Sequence, residues 1–269
     1  MSIPEHRKAI DKLDARIVRL LNERTRHVLA IGGIKLAAGE EIYVPHRERA
    51  VLDRVCKLNT GPITNGQLRA IYREIMSSAL ALEKTMTIAY PGPEAMLAHQ
   101  AAVQKFGSSL KYSAQKTIAD VFTAVGNNRA NYGVVPVETS AKGIIAQTLG
   151  LFAGSDLKIV SQIHLPDGAA RFLVLGRQCS PPTGDDRTSM MVWFADKAGT
   201  MRRKLETFRS HKIKLSAIEL LSGRRKASGR LVFMECDGHV QDKKLARAIA
   251  QLSRDGFSIK VLGSYPNMD

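Results

Sequence analysis

His6–Lys35, HRKAIDKLDARIVRLLNERTRHVLAIGGIK, decides how the rest of the chain is read. Its apolar residues Ile10, Leu13, Ile17, Leu20, Leu21, Val28 and Ile31 recur at threes and fours, the period of one helix face. The pattern predicts a helix over 5–36 with one buried stripe, weakened at Gly32-Gly33 and closed by Gly39. Arg24 and Lys35 stand eleven residues apart. That is about three helical turns, so the two cations point within about 20° of each other. Beside apolar residues they form a candidate anion pocket, although the same spacing also describes two surface cations.

Working outward, HRERAVLDRVCKL at 46–58 predicts a second helix with Val51, Leu52, Val55 and Leu58 inward. After the Gly61-Pro62 break, 64–84 predicts a third. Two shorter helices cannot cover the whole stripe of the first, so a second copy of the chain, a homodimer, is expected to do so. From Thr87 the pattern becomes α/β. MTIAYPG, ANYGVVPVE, LKIVSQIHL and ARFLVLG read as strands, and AMLAHQAAVQKFG, TIADVFTAVGNN and IIAQTLGLFAG as helices. QCSPPTGDD, 178–186, has linker composition. The remainder alternates as βαββαβ, an α+β, ferredoxin-like order, with its first helix in TMRRKLETFRSHK. The expected division is therefore 1–86, all-α; 87–177, α/β; linker 178–186; and 187–269, α+β.

Composition narrows the function. A chain of 269 residues that is 44% hydrophobic is long enough for several cored domains. No apolar run reaches the length of a membrane span, and the polar start gives no sign of a signal peptide. Three isolated cysteines fit reduced thiols in the cytoplasm, and the scattered histidines give no metal site. The net charge of +15 favours an anionic small molecule. Arg202-Arg203-Lys204 and Arg224-Arg225-Lys226 read as solvated basic faces, so nucleic acid is not the expected partner.

A series of motifs in order sharpens this reading. HRKAID, LLNER, Gly32-x-x-Lys35, PHRE and REIMSSALALE come first; GPE, HQAA, TIADVF and YGVVPVE follow; DRTSM, DGH and LGSYP close the chain. Nearly end to end, the sequence resembles the bifunctional chorismate mutase–prephenate dehydratases with a C-terminal ACT domain. The resemblance implies a dimeric helical mutase acting on the dianion chorismate without cofactor or metal. Arg7, Arg24, Lys35, Arg47, Glu48 and Glu83 fall on the family's active-site positions. By that resemblance Arg24 and Arg47, with Arg7 reaching from the partner subunit, grip the carboxylates. Lys35 and Glu83 flank the ether oxygen, and Glu48 holds the ring hydroxyl. Glu83 departs from members with glutamine there, and a carboxylate donates to an oxygen only when protonated, which predicts more activity toward acidic pH. Val44 replaces an acidic residue of some members.

The later parts depart further. The family's Gly-Thr-Phe-Ser is here Ala95-Met96-Leu97-Ala98, and its Glu-Asn-Ser is Glu138-Thr139-Ser140. Its Thr-Arg-Phe, with the catalytic hydroxyl, is Ala170-Arg171-Phe172. LKIVSQIHLP runs almost directly into DGAARFLVLG, where the family inserts a second lobe. The expectation is a half-module without a cleft and without dehydratase activity. The ACT ligand signature is likewise replaced, by Glu219-Leu220-Leu221-Ser222 and Ile213-Lys214, with Gly199 kept, so phenylalanine sensing is not expected. Prephenate would pass to a separate dehydratase. Two alternatives stay open: the same site acting on isochorismate or 4-amino-4-deoxychorismate, and a non-catalytic regulatory or binding partner.

Overall fold

The computed structural model describes residues 2–40, 42–141, 143–165, 168–195, 206–221 and 229–267, which form two units. The first comprises 1–44, 51–86 and 106–111; the second comprises 45–50, 87–105 and 112–269. Both basic clusters, Gly199 and Ser222 lie outside the described residues.

The first unit is helical. Helix α1 spans Ile3–Ala37, α2 spans Pro45–Leu58 and α3 spans Asn65–Glu83, α2 contributing its later turns. Pro45 at the first turn of α2 suits a position whose N–H has no helical partner. A capping box starts α3: Gln67 N–H donates to Thr64 Oγ1 at 3.3 Å, and Thr64 N–H donates to Gln67 Oε1 at 3.0 Å. Helix α1 packs on α3. The stripe expected to be buried is not: Ile10, Leu13, Ile17, Leu20 and Ile31 are all more than half exposed, while Leu21 and Val28 are half-buried. The period is right, but the described residues of one chain leave it uncovered, and the expected covering was a second copy. Leu58, expected inward, is the last residue of α2 and is exposed for that reason. The unit's core sits instead around Tyr43, Ala79, Met86, Phe106 and Leu110, with the rings of Tyr43 and Phe106 5.1 Å apart.

The second unit holds two sheets. The first combines β1 (Thr87–Pro91), β2 (Lys111–Gln115), β3 (Tyr132–Thr139), β4 (Gly143–Ile144), β5 (Lys158–His164) and β6 (Ala170–Gly176). Its order is β2-β1-β3-β6-β5, with β4 paired to β3; β1 and β3 are parallel, and β3-β6 and β6-β5 are antiparallel. Between its strands come α4 (Leu97–Phe106), α5 (Ile118–Gly126) and α6 (Ala146–Ala153). Strand β2, sequence KYSAQ, was not among the expected strands, because only one of its five residues is aliphatic and it lies at the sheet edge.

The second sheet contains β7 (Asp186–Ala195), β8 (Leu215–Leu221), β9 (Gly229–Asp237) and β10 (Ser258–Pro266) in the order β10-β7-β9-β8, all antiparallel. A helical stretch at 206–210 (α7) precedes β8, and α8 (Lys243–Arg254) precedes β10. Asp186 already belongs to β7, one residue earlier than the linker composition implied. One face packs under α8 through Met190, Val232, Met234, Leu245 and Leu252. From the other, Met191, Phe233, Leu262 and Tyr265 join Val135, Ile159, Leu173 and Leu175 of the first sheet in one core. A Cβ on Gly263 would lie 2.1 Å from the Ile159 carbonyl oxygen, so only glycine admits the approach of β10 to β5.

Candidate active site

In the helical unit the structure brings Lys35 and Glu83 together. Lys35 lies on α1 one turn beyond Gly32, and Glu83 is the last residue of α3. Gly32, the only buried residue described on α1, makes room for this. A Cβ there would stand 2.6 Å from Glu83 Oε2 and 3.0 Å from its Cγ. In the sequence Gly32 reads both as a weak point of the helix and as the start of the Gly32-x-x-Lys35 motif, whose spacing of three sets the two residues on one face. Burial raises the Glu83 pKa above the ordinary carboxylate value, and the positive charge of Lys35 partly offsets this. Lys35 Nζ also donates to the Ile42 carbonyl at 3.2 Å.

Arg24, three turns before Lys35 on α1, is half-buried. Its Nη1 is buried and finds no hydrogen-bond partner among the described residues. An ionised donor in that position costs stability unless an acceptor meets it, and a ligand carboxylate is such an acceptor. Arg7, near the start of α1, is exposed. No described contact brings it to the other five residues.

Arg47 and Glu48 lie in the first turn of α2, within 45–50, which groups with the second unit. Arg47 is exposed. Glu48 is not: its Oε2 accepts from Lys105 Nζ of α4 at 2.9 Å, and both side chains are mostly buried. Lys105 had no place in the expected site.

The α/β region corrects one expectation, since a cavity of about 610 Å³ exists where no cleft was foreseen. Glu138, Thr139, Ser140, Ala170 and Arg171 line it from the first sheet; Arg187, Ser216–Glu219 and Glu235 close it from the second. Arg171 is held there by two carboxylates. Its Nη1 donates to Glu235 Oε2 at 2.7 Å and its Nε to Glu138 Oε2 at 3.3 Å. Ser189 Oγ and Tyr265 Oη both reach Glu235 Oε1, at 3.0 and 3.1 Å. Burial opposes the Arg171 charge, yet Glu235 and Glu138 hold its pKa above the ordinary value. Ala170 has no proton to give.

Comparison with known proteins gives two family matches: chorismate mutase type II over residues 6–84 and prephenate dehydratase over residues 88–178. A bifunctional chorismate mutase/prephenate dehydratase of Aquifex aeolicus is 31% identical, with 98% of each chain covered. That of Stutzerimonas stutzeri is 29% identical over 97% of this chain and 96% of the relative. The first alignment runs over 353 positions against the 269 residues here, so that relative holds sequence without a counterpart in this chain. A prephenate dehydratase structure from Streptococcus mutans superposes with a TM-score of 0.59 at 25% identity, covering 67% of this chain and 98% of the other.

Proposed function

The chain belongs to the bifunctional chorismate mutase/prephenate dehydratase family, and from that premise we propose that it rearranges chorismate to prephenate and does not dehydrate the product. The observation that carries the mutase reading is the seating of Glu83 against Gly32 and Lys35, with the unpartnered Arg24 nitrogen on the same helix. The rearrangement is a single pericyclic step: the ether C–O bond breaks as a C–C bond forms, with no nucleophile, redox partner or net proton transfer. A catalyst needs only to hold the compact conformer and stabilise negative charge growing on the ether oxygen.

Arg24, Arg47 and the partner's Arg7 suit the carboxylates, because a guanidinium fork binds them two-pronged. Lys35 and protonated Glu83 donate to the ether oxygen, and Glu48 accepts from the ring hydroxyl. Charged hydrogen bonds contribute about 1.5–3 kcal/mol each. A few that tighten in the transition state reach the about 8 kcal/mol of a modest enzyme. The exposed stripe of α1 supports a homodimer closed through that helix.

Absence of dehydratase activity is supported by Ala170 in place of the hydroxyl and by Arg171 bound to two glutamates. The β10-β7-β9-β8 order supports reading the second sheet as a ferredoxin-like, ACT-type module, and the replaced signature argues against phenylalanine control. The test is incubation with chorismate and chromatography of the products. Prephenate without phenylpyruvate above the acid-catalysed background is expected. Enzymatic phenylpyruvate overturns the inactive-dehydratase reading, and no consumption of chorismate overturns the mutase reading.

A further inference from the structure

A mostly buried lysine requires a reason. Lys105 belongs to α4, in the dehydratase-like part of the sequence, yet its ammonium meets Glu48, a residue of the mutase set, at 2.9 Å. Side-chain exposure is 7% for Lys105 and 14% for Glu48, so solvent screens the pair little. A structural tie at such depth is better served by the two-pronged fork of arginine; lysine supplies a point charge. That charge has consequences for what Glu48 can accept. An ionised carboxylate beside an ammonium readily takes a hydrogen bond from a neutral hydroxyl. A substrate bringing an ammonium to the same carboxylate would set two cations against each other in a weakly screened place.

Resting on the mutase reading, we propose that Lys105 is a positioning and specificity-determining residue: it orients Glu48 and, by its own positive charge beside that carboxylate, selects a ring hydroxyl over a protonated amine. The α4 segment of the dehydratase-like part thereby serves the mutase reaction, which accounts for its retention beside a dismantled dehydratase motif. Chorismate is preferred over its 4-amino-4-deoxy analogue on this ground.

The test compares wild type, Lys105→Met, Lys105→Gln and Lys105→Arg on both substrates, measuring kcat and KM separately. For Lys105→Met the kcat/KM on chorismate is expected to fall about tenfold, mostly through KM, while the analogue loses less. The chorismate-to-analogue ratio then shifts about tenfold toward the amine. Lys105→Arg should restore the ratio. Lys105→Gln keeps a donor to Glu48 without the charge, so it gives the same reading where the methionine variant fails to fold. Equal losses on both substrates mark a merely structural lysine and overturn the proposal, as does an unchanged ratio. A wild type inert toward both substrates removes the mutase reading itself, a distinguishable outcome.

Discussion

Two arginines of this chain stand in opposite conditions. Arg24 on α1 is half-buried with one guanidinium nitrogen that no described residue meets. Arg171 on β6 is almost wholly buried and donates to both Glu138 and Glu235. A binding arginine retains unspent hydrogen-bonding capacity, at some cost to the folded protein. A structural one is saturated, because a buried charge without partners is among the most expensive defects a core can hold. On the reading proposed above, the contrast separates a region whose arginine is held ready for a ligand from one whose arginine serves as a fastening.

Substitution should expose the contrast in opposite directions. Arg171→Met leaves Glu235 buried without its cation and is expected to cost about 3–5 kcal/mol of stability. Thermal denaturation reads this, and mutase turnover of the protein that remains folded should be unaltered. Arg24→Met should leave the melting temperature at or above wild type and lower kcat/KM at least about a hundredfold, the loss of a charged two-pronged contact. Loss of turnover in the first variant, or of stability alone in the second, erases the distinction.

The dimer adds a second way to break it. Arg7→Ala and Lys35→Ala chains should each be inactive. Mixed and refolded together they should regain about a quarter of wild-type activity, since half the dimers are mixed and each has one intact site. No recovery places Arg7 in its own subunit's site, and an active Arg7→Ala chain places it outside any site.

Gly32→Ala sharpens the comparison on one residue. Alanine raises helix propensity by up to about 1 kcal/mol, yet its Cβ displaces the Glu83 carboxylate. Stability equal to or above wild type with activity about tenfold lower is expected; unchanged activity means that Glu83 does not need this seat. The smallest effect is in pH. Glu83 donates only as the acid, and burial raises its pKa. The protonated fraction therefore falls as pH rises through that value, and kcat/KM should increase from neutral toward acidic pH. Glu83→Gln, a permanent donor, should flatten the profile. A flat wild-type profile sinks the role given to Glu83.

Much of this was legible in the sequence. The threes and fours of α1, the Gly61-Pro62 break before α3 and the apolar runs of β3, β5 and β6 are local signals, and each names its element. The six candidate positions were expected from the family resemblance, and of these the structure brings Lys35 and Glu83 together. What stayed hidden depends on distant partners. No local signal joins Lys105 to Glu48 across 57 positions, or Arg171 to Glu235 across 64. Amphipathicity marks a face to be covered without saying by whom, which is why the stripe of α1 is open within one chain. The cavity escaped notice for the same reason, since its second wall comes from β7, β8 and β9.

The approach of β10 to β5 at Gly263 bears on what a protease could do to this molecule. Residues 177–185 between β6 and β7 form no helix or strand, and Cys179 within them is exposed. A nick there would sever the peptide without releasing either piece, because Phe233, Leu262 and Tyr265 remain interleaved with Ile159, Leu173 and Leu175. Two bands in denaturing gel would then migrate as one species in native solution, so the covalent linker is dispensable for cohesion once the chain has folded.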